Sequence, residues 1–179
     1  MPDGLFGPPQ IAALLVLGQR GLEELYSGRN TRRLIVAGAY EVGRPYYPVV
    51  ATAHLGWLAS VFLLISPDAP IFYVLLGAYL ALQIVRYWII ATLGRYWTHR
   101  ILTLDGAPIV RAGPYRLMRH PNYAVTIAET CLLPAAFGAW ALAAIMTAIW
   151  WSVVSYKMVL EDGALENRTS IADGRSARP

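Results

Sequence analysis

In the stretch "GPYRLMRHPNYAVTIAETCLLPAAFGAW", Gly113–Trp140, a cationic loop gives way to an apolar helix and then to a turn. Arg116, Arg119 and His120 crowd its mouth. Pro121 fits the first turn of a helix, where the N–H it lacks has no partner anyway. Tyr123 to Phe137 is apolar but short, and Pro134 ends it. Gly138 marks a tight turn, after which Trp140 to Tyr156 runs back. The pattern predicts a hairpin of two membrane helices with three potential cations where the first one starts.

Outward from this hairpin the chain remains apolar. Of its 179 residues 56% are hydrophobic and 15% charged, where globular domains carry about a quarter charged. A bilayer crossing takes about 20 mostly apolar residues. Pro8–Tyr26, Tyr46–Ser66 and Ile71–Leu93 meet that need upstream, the last two separated by the proline-broken "SPDAP", Ser66–Pro70. The expected fold is therefore all-α and integral to the membrane. It has five transmembrane helices, the C-terminal hairpin included, in one domain over residues 1–168. Residues 169–179 form a polar tail expected to be disordered. Met1–Gln10 carries Asp3 and no Lys or Arg ahead of the apolar run, so it is not read as a signal peptide. The lone Cys131 allows no intramolecular disulfide.

The cations give the orientation. Arg29, Arg32, Arg33 and Arg44 follow span one; Arg95, Arg100, Arg111, Arg116 and Arg119 follow span three; Lys157, Arg168, Arg175 and Arg178 follow span five. Five crossings put all three groups on one side. By the positive-inside rule that side is cytoplasmic and the N-terminus lies outside; in a bacterium the membrane would be the inner one. Arg20 and Arg86, near the basic ends of their spans, are expected to snorkel. A net charge of +4 thus reflects topology rather than nucleic-acid binding.

Gly94–His120, on the basic side, is a long loop, and such loops are usually functional or disordered. Its short apolar runs "RYW", "ILTL" and "APIV" argue against disorder. Arg116, Arg119, His120 and the free N–H groups of the helix start form an anion-friendly corner. After span five comes "YKMVLEDGALENR", in which Lys157 and Glu161 share a helix face. Asp162 points to another face and reads as solvated. Glu129 lies inside span four, where a carboxyl is a functional-site hypothesis by default; the alternative is a polar link to Arg86 or Gln83. Arg20, Glu23 and Glu24 read as structural. No G-x-G and no P-loop occurs, and His54, His99, His120 and Cys131 are too scattered for a metal site.

Gly113, Tyr115, Arg119, His120, Pro121 and Tyr123, then an apolar hairpin, then Glu161, Asp162 and Leu165 resemble the isoprenylcysteine carboxyl methyltransferase and phospholipid methyltransferase superfamily over about Ile84–Leu165. The resemblance implies binding of S-adenosylmethionine over the membrane helices, in a cytoplasmic loop. It assigns cofactor contacts to Ala107, Pro108, Ile109, Val110, Tyr115, His120, Pro121, Asn122, Tyr123 and Glu161. Lys157 stands where prenylcysteine enzymes of the family carry arginine, near the substrate; lysine keeps the charge and loses the bidentate fork. Asp162 replaces the usual second glutamate. Gln19–Gly43 resembles bacterial members that accompany type III polyketide synthases, which implies an alkylpyrone or alkylresorcinol acceptor.

The expected activity is methyl transfer to a lipophilic acceptor at the bilayer, by O-methylation of such a polyketide lipid or of a prenylcysteine-like carboxylate. Arg119, Glu129 and Glu161 are the candidate catalytic residues. A carboxylate acceptor needs no base, whereas a phenol, with a pKa of about 10, would benefit from one, and Glu129 or Glu161 would serve. Two other readings compete: an NADPH-dependent sterol-type membrane reductase, whose additional spans this chain lacks, and a non-catalytic membrane scaffold, which leaves the loop without a job.

Overall fold

A computed structural model describes residues 6–107 and 110–172, the last eight as backbone alone. Five helices dominate it: α1 Pro8–Val36, α2 Tyr47–Leu64, α3 Tyr73–Leu93, α4 Pro121–Ala135 and α5 Trp140–Ala172. They run up and down between two ends. At the first end, Gln10 opens α1 by accepting from the Gly7 N–H at 3.0 Å. Its amide donates to the carbonyls of Phe62 and Ile65 at 3.0 and 2.8 Å, which the end of α2 leaves unpaired. The α4–α5 turn closes onto the same end: the Phe72 N–H donates to Ala136 O at 2.8 Å. Gly138 takes φ +72°, with Phe72 and Pro70 at van der Waals distance from where a side chain would begin. The expected hairpin is thus present, with α4 running to Ala135 through Pro134.

Among the described residues, three stretches are long and apolar enough to cross a membrane: Arg44–Leu64, Tyr73–Tyr96 and Trp140–Ala164. Their outward faces carry Leu63, Leu64, Leu80, Ile84, Trp88, Ile149 and Trp151, all exposed. So much exposed apolar surface suits lipid rather than water. The all-α membrane class holds. α1 is built inside out. Leu14, Leu15, Leu22 and Leu25 face outward, while Gln10, Arg20, Glu23, Ser27 and Asn30 are buried.

Three features differ from the sequence reading. α1 does not stop near Tyr26 but continues to Val36, so Arg29, Arg32 and Arg33 sit on helix rather than loop. The polar stripe Glu23, Ser27, Asn30, Thr31 has helical spacing and a packing partner, which the loss of apolar character concealed. Second, the helical fold carries one small two-stranded ribbon that the sequence reading did not place. Strands β1 (Tyr40–Val42) and β2 (Ile101–Thr103) pair antiparallel, Glu41 opposite Leu102. Third, α5 runs through Ala172, four residues into the stretch assigned to the tail; 173–179 lie outside the described residues.

Arg20 and Arg86 do not snorkel. Arg20 donates to Glu23 at 2.8 and 2.7 Å and to Glu129 at 2.7 Å. Arg86 donates to Glu23 at 2.9 and 2.7 Å and to Glu129 at 3.3 Å. All four are buried. Two guanidiniums and two carboxylates balance, so α1, α3 and α4 are joined inside the apolar layer without an unpaired charge. His54 is a packing residue, its ring edge-on to Trp57 and Trp150 at 5.2 and 5.3 Å.

Candidate active site at the start of helix α4

The second end of the bundle holds the long loop, and α1 holds the loop in place. The Asn30 side-chain amide donates to Gly94 O and Trp97 O at 3.1 and 2.9 Å. Ser27 Oγ accepts from the His99 N–H at 2.8 Å. Glu24 Oε2 lies 2.7 Å from His99 Nδ1. β1 is clamped on β2, which ties the loop down at Ile101–Thr103, and Gly113–Arg116 forms a 3-10 turn. That turn packs hard on α3. Gly113 takes φ +53°, and a Cβ there would lie 2.7 Å from Thr92 Oγ1 and 3.2 Å from Trp88 Nε1. The glycine is needed both for its backbone angle and for the close approach.

From this turn the chain enters α4 with His120 as N-cap and Pro121 buried behind it. His120 reaches across to α5 and stands between two carboxylates. Its Nε2 is 3.1 Å from Asp162 Oδ1 and its Nδ1 3.6 Å from Glu161 Oε2. Arg119 Nη2 meets the same Asp162 oxygen at 3.1 Å. The Tyr123 hydroxyl donates to Glu161 Oε2 at 2.5 Å, and its ring stacks on His120 with centroids 5.3 Å apart. Lys157 Nζ lies 5.3 Å from the Tyr123 centroid and donates to His99 O at 2.8 Å. Burial and the nearby Glu161 carboxylate push the Tyr115 phenol above its ordinary value.

The structure therefore gathers Tyr115, Arg119, His120, Tyr123, Lys157 and Glu161, with Asn122 beside them. Asn122 Oδ1 is buried and has no hydrogen-bond partner among the described residues. Ala107 and Val110 are half-buried on the loop, the Ala107 N–H donating to Leu104 O at 3.2 Å; Pro108 and Ile109 lie outside the described residues. Glu129 is elsewhere. Nine residues beyond His120, it stands about 13 Å further along the helix, held by Arg20, Arg86 and the Gln83 amide, the last at 2.9 Å. The polar link expected as the alternative is what forms.

Asp162 belongs to the cluster although it read as solvated. Adjacent α5 residues point about 100° apart, and His120 spans both because its ring has a nitrogen on each side. Glu24, Ser27, Asn30 and His99, which shape the loop, were missed as a group. Their signal was the polar stripe on α1.

Comparison with known proteins gives the family. The model of the Isoprenylcysteine carboxyl methyltransferase (ICMT) family matches residues 73–167. The chain belongs to that family. The match runs from the start of α3 through the cluster, so every gathered residue falls inside the region the family shares. The protein is accordingly a membrane protein of a methyltransferase family. It is 34% identical over 160 residues, 87% of its length, to the "Uncharacterized protein YpbQ" of Bacillus subtilis (strain 168), 94% of which is covered. No solved structure matches it.

Proposed function

We propose that this protein is an S-adenosylmethionine-dependent methyltransferase acting on a lipophilic acceptor at the membrane surface. The observation that carries the reading is His120, held between Glu161 and Asp162 at a half-open helix start. The donor set fits the cofactor's charges. Arg119, 68% exposed with a single ion-pair contact among the described residues, is placed to take a carboxylate with His120. Glu161 and Asp162 suit an ammonium. The Tyr123 ring offers a π face to a cation, and the orphaned Asn122 oxygen suits a hydroxyl donor. When bound, the cofactor supplies an electrophilic methyl group on a sulfonium.

This chain's own residues align and shield. In-line displacement gains most from held geometry, and the Asn30, Ser27 and Glu24 contacts fix the loop on which that geometry depends. Should the acceptor be a hydroxyl, Glu161 is the base of choice over Glu129. Glu161 is 35% exposed beside Tyr123, whereas Glu129 is 1% exposed with its oxygens occupied by Arg20, Arg86 and Gln83. Lys157 faces the acceptor side.

The topology proposed is five crossing segments, N-terminus outside and site cytoplasmic, in the inner membrane of a bacterium. α1 supports it by turning its leucines outward and neutralising its charges internally. α4, at 15 residues, is about 22 Å long, short of the ~30 Å hydrocarbon layer. Its start therefore sinks the site toward lipid, where an acceptor tail lies. The polyketide-type acceptor expected from Gln19–Gly43 draws no support from the family match, which begins at residue 73.

Calorimetry on detergent-purified protein tests the reading, titrating S-adenosylmethionine and, separately, NADPH. Binding of the first alone, lost in His120→Ala and Glu161→Ala variants that still fold, supports it and justifies screening alkylpyrones, phenolic lipids and prenylcysteines. Binding of NADPH alone overturns it in favour of a reductase. Retained S-adenosylmethionine affinity in both variants moves the site elsewhere.

A further inference from the structure

An open cleft of about 540 Å³ lies between the C-terminal half of α1 and β1. It shares no lining residue with the His120 cluster. All its lining residues except Arg100 precede residue 73, where the family match begins. It is thus a feature of this chain's N-terminal part rather than of the shared methyltransferase core.

Its charges are unevenly spent. Arg100 is already paired: its Nη1 donates to both oxygens of Glu41 at 3.0 and 2.9 Å, and its guanidinium stacks on the Tyr47 ring at 4.5 Å. Glu24 faces His99. Arg32 and Arg44, exposed at the cleft wall, enter no ion pair among the described residues. Thr31, which also lines the cleft, is 7% exposed, and its Oγ1 is buried with no hydrogen-bond partner among the described residues. Two free guanidiniums can only donate, and the orphaned hydroxyl has a proton to give. Such a set asks for an occupant rich in acceptor oxygens and negatively charged. The volume exceeds the needs of a bare oxyanion and lies in the range of small-molecule sites. Arg44 also opens the apolar stretch Arg44–Leu64, so the cleft sits at the end of a membrane helix, at headgroup level.

We propose that this cleft is a second ligand site, for a phosphate-type oxyanion bound by Thr31, Arg32 and Arg44, separate from the cofactor cluster. A lipid headgroup and a soluble phosphate compound share that chemistry, and the test separates them.

Detergent-purified full-length protein is titrated in a calorimeter at fixed ionic strength, because screening alone alters surface charge effects. One arm uses inorganic phosphate. The other uses dihexanoyl phosphatidylglycerol below its micelle concentration, with dihexanoyl phosphatidylcholine as the neutral comparison. Arg32→Gln/Arg44→Gln should weaken binding roughly tenfold or more, as loss of hydrogen bonds to a charged group does. Arg29→Gln/Arg33→Gln removes the same amount of charge from α1 outside the cleft and should change affinity by less than about twofold. Thr31→Val should weaken binding several-fold without lowering the melting temperature. Binding of phosphatidylglycerol without phosphate assigns the site to a lipid headgroup; binding of both assigns it to a soluble anion as well. Equal losses in the two arginine pairs, or no binding of either probe to folded protein, overturn the proposal.

Discussion

Two groups of ionised side chains in this molecule have nearly the same composition and opposite character. Arg20, Glu23, Arg86 and Glu129 sit among the helices; Arg119, His120, Glu161 and Asp162 sit where α4 begins. Each has two basic and two acidic members with a tyrosine nearby, Tyr79 and Tyr123. In the interior group the contacts are mostly 2.7–2.9 Å and each carboxylate receives several donors. In the surface group the ion-pair contacts are longer, 3.1–3.6 Å, and Arg119 is mostly in solvent. A dry cluster whose carboxylates are all taken by internal donors has no free acceptor to offer a ligand and acts as a clamp. A half-satisfied, half-wet cluster can exchange its internal partners for a ligand's charges at little cost.

The comparison can be broken at several points. The largest effect should come from Glu129→Ala, which leaves two buried guanidiniums short of a partner. Losing one member of such a network costs about 3–5 kcal/mol, and a thermal melt in detergent should show a much lower midpoint or no folded protein. A variant melting like the parent would mean the interior group is not a clamp. Glu161→Ala should do the reverse: an unchanged melting temperature, with S-adenosylmethionine affinity lowered by roughly 10–100-fold, as expected for a lost charge-assisted contact. Asp162→Asn should follow it with a smaller loss, read from the same titration.

Gly113→Ala should link the two readouts. Its positive φ and the close Thr92 hydroxyl make a cost of about 1–2 kcal/mol reasonable. The displaced 3-10 turn should also weaken cofactor binding, so melting and calorimetry move together. The smallest effect concerns pH. The Tyr115 phenol is raised above its ordinary value by burial and then by Glu161. The stability this contributes is complete below about pH 10, the unfolded tyrosine value, and drains as pH climbs toward the folded value. Tyr115→Phe should therefore lose stability less steeply than the parent above pH 10 in melts across that range.

The sequence was legible where signals are local. Pro121 marked a helix start, Gly138 a turn, and the apolar runs their helices. Glu161 and His120 stood out through residue type and position. It was illegible where meaning depends on a distant partner. The extension of α1 carries buried polar residues, Ser27, Asn30 and Thr31, whose partners lie 64 or more residues away for the first two. Without those partners the segment looks like a solvated loop. The three-residue strands β1 and β2 have no periodicity long enough to register.

What the sequence by itself determined is the membrane class, the helical hairpin and the cationic helix mouth, because apolar length, turn chemistry and clustered charge act over a few neighbouring residues. Only the tertiary structure decided that Glu129 is bound to Arg20, 109 residues before it, while Glu161 and Asp162 meet His120. Whether a carboxylate becomes clamp or binding group is set by how many donors the fold brings to it and how much water it leaves, and neither quantity exists until the helices pack.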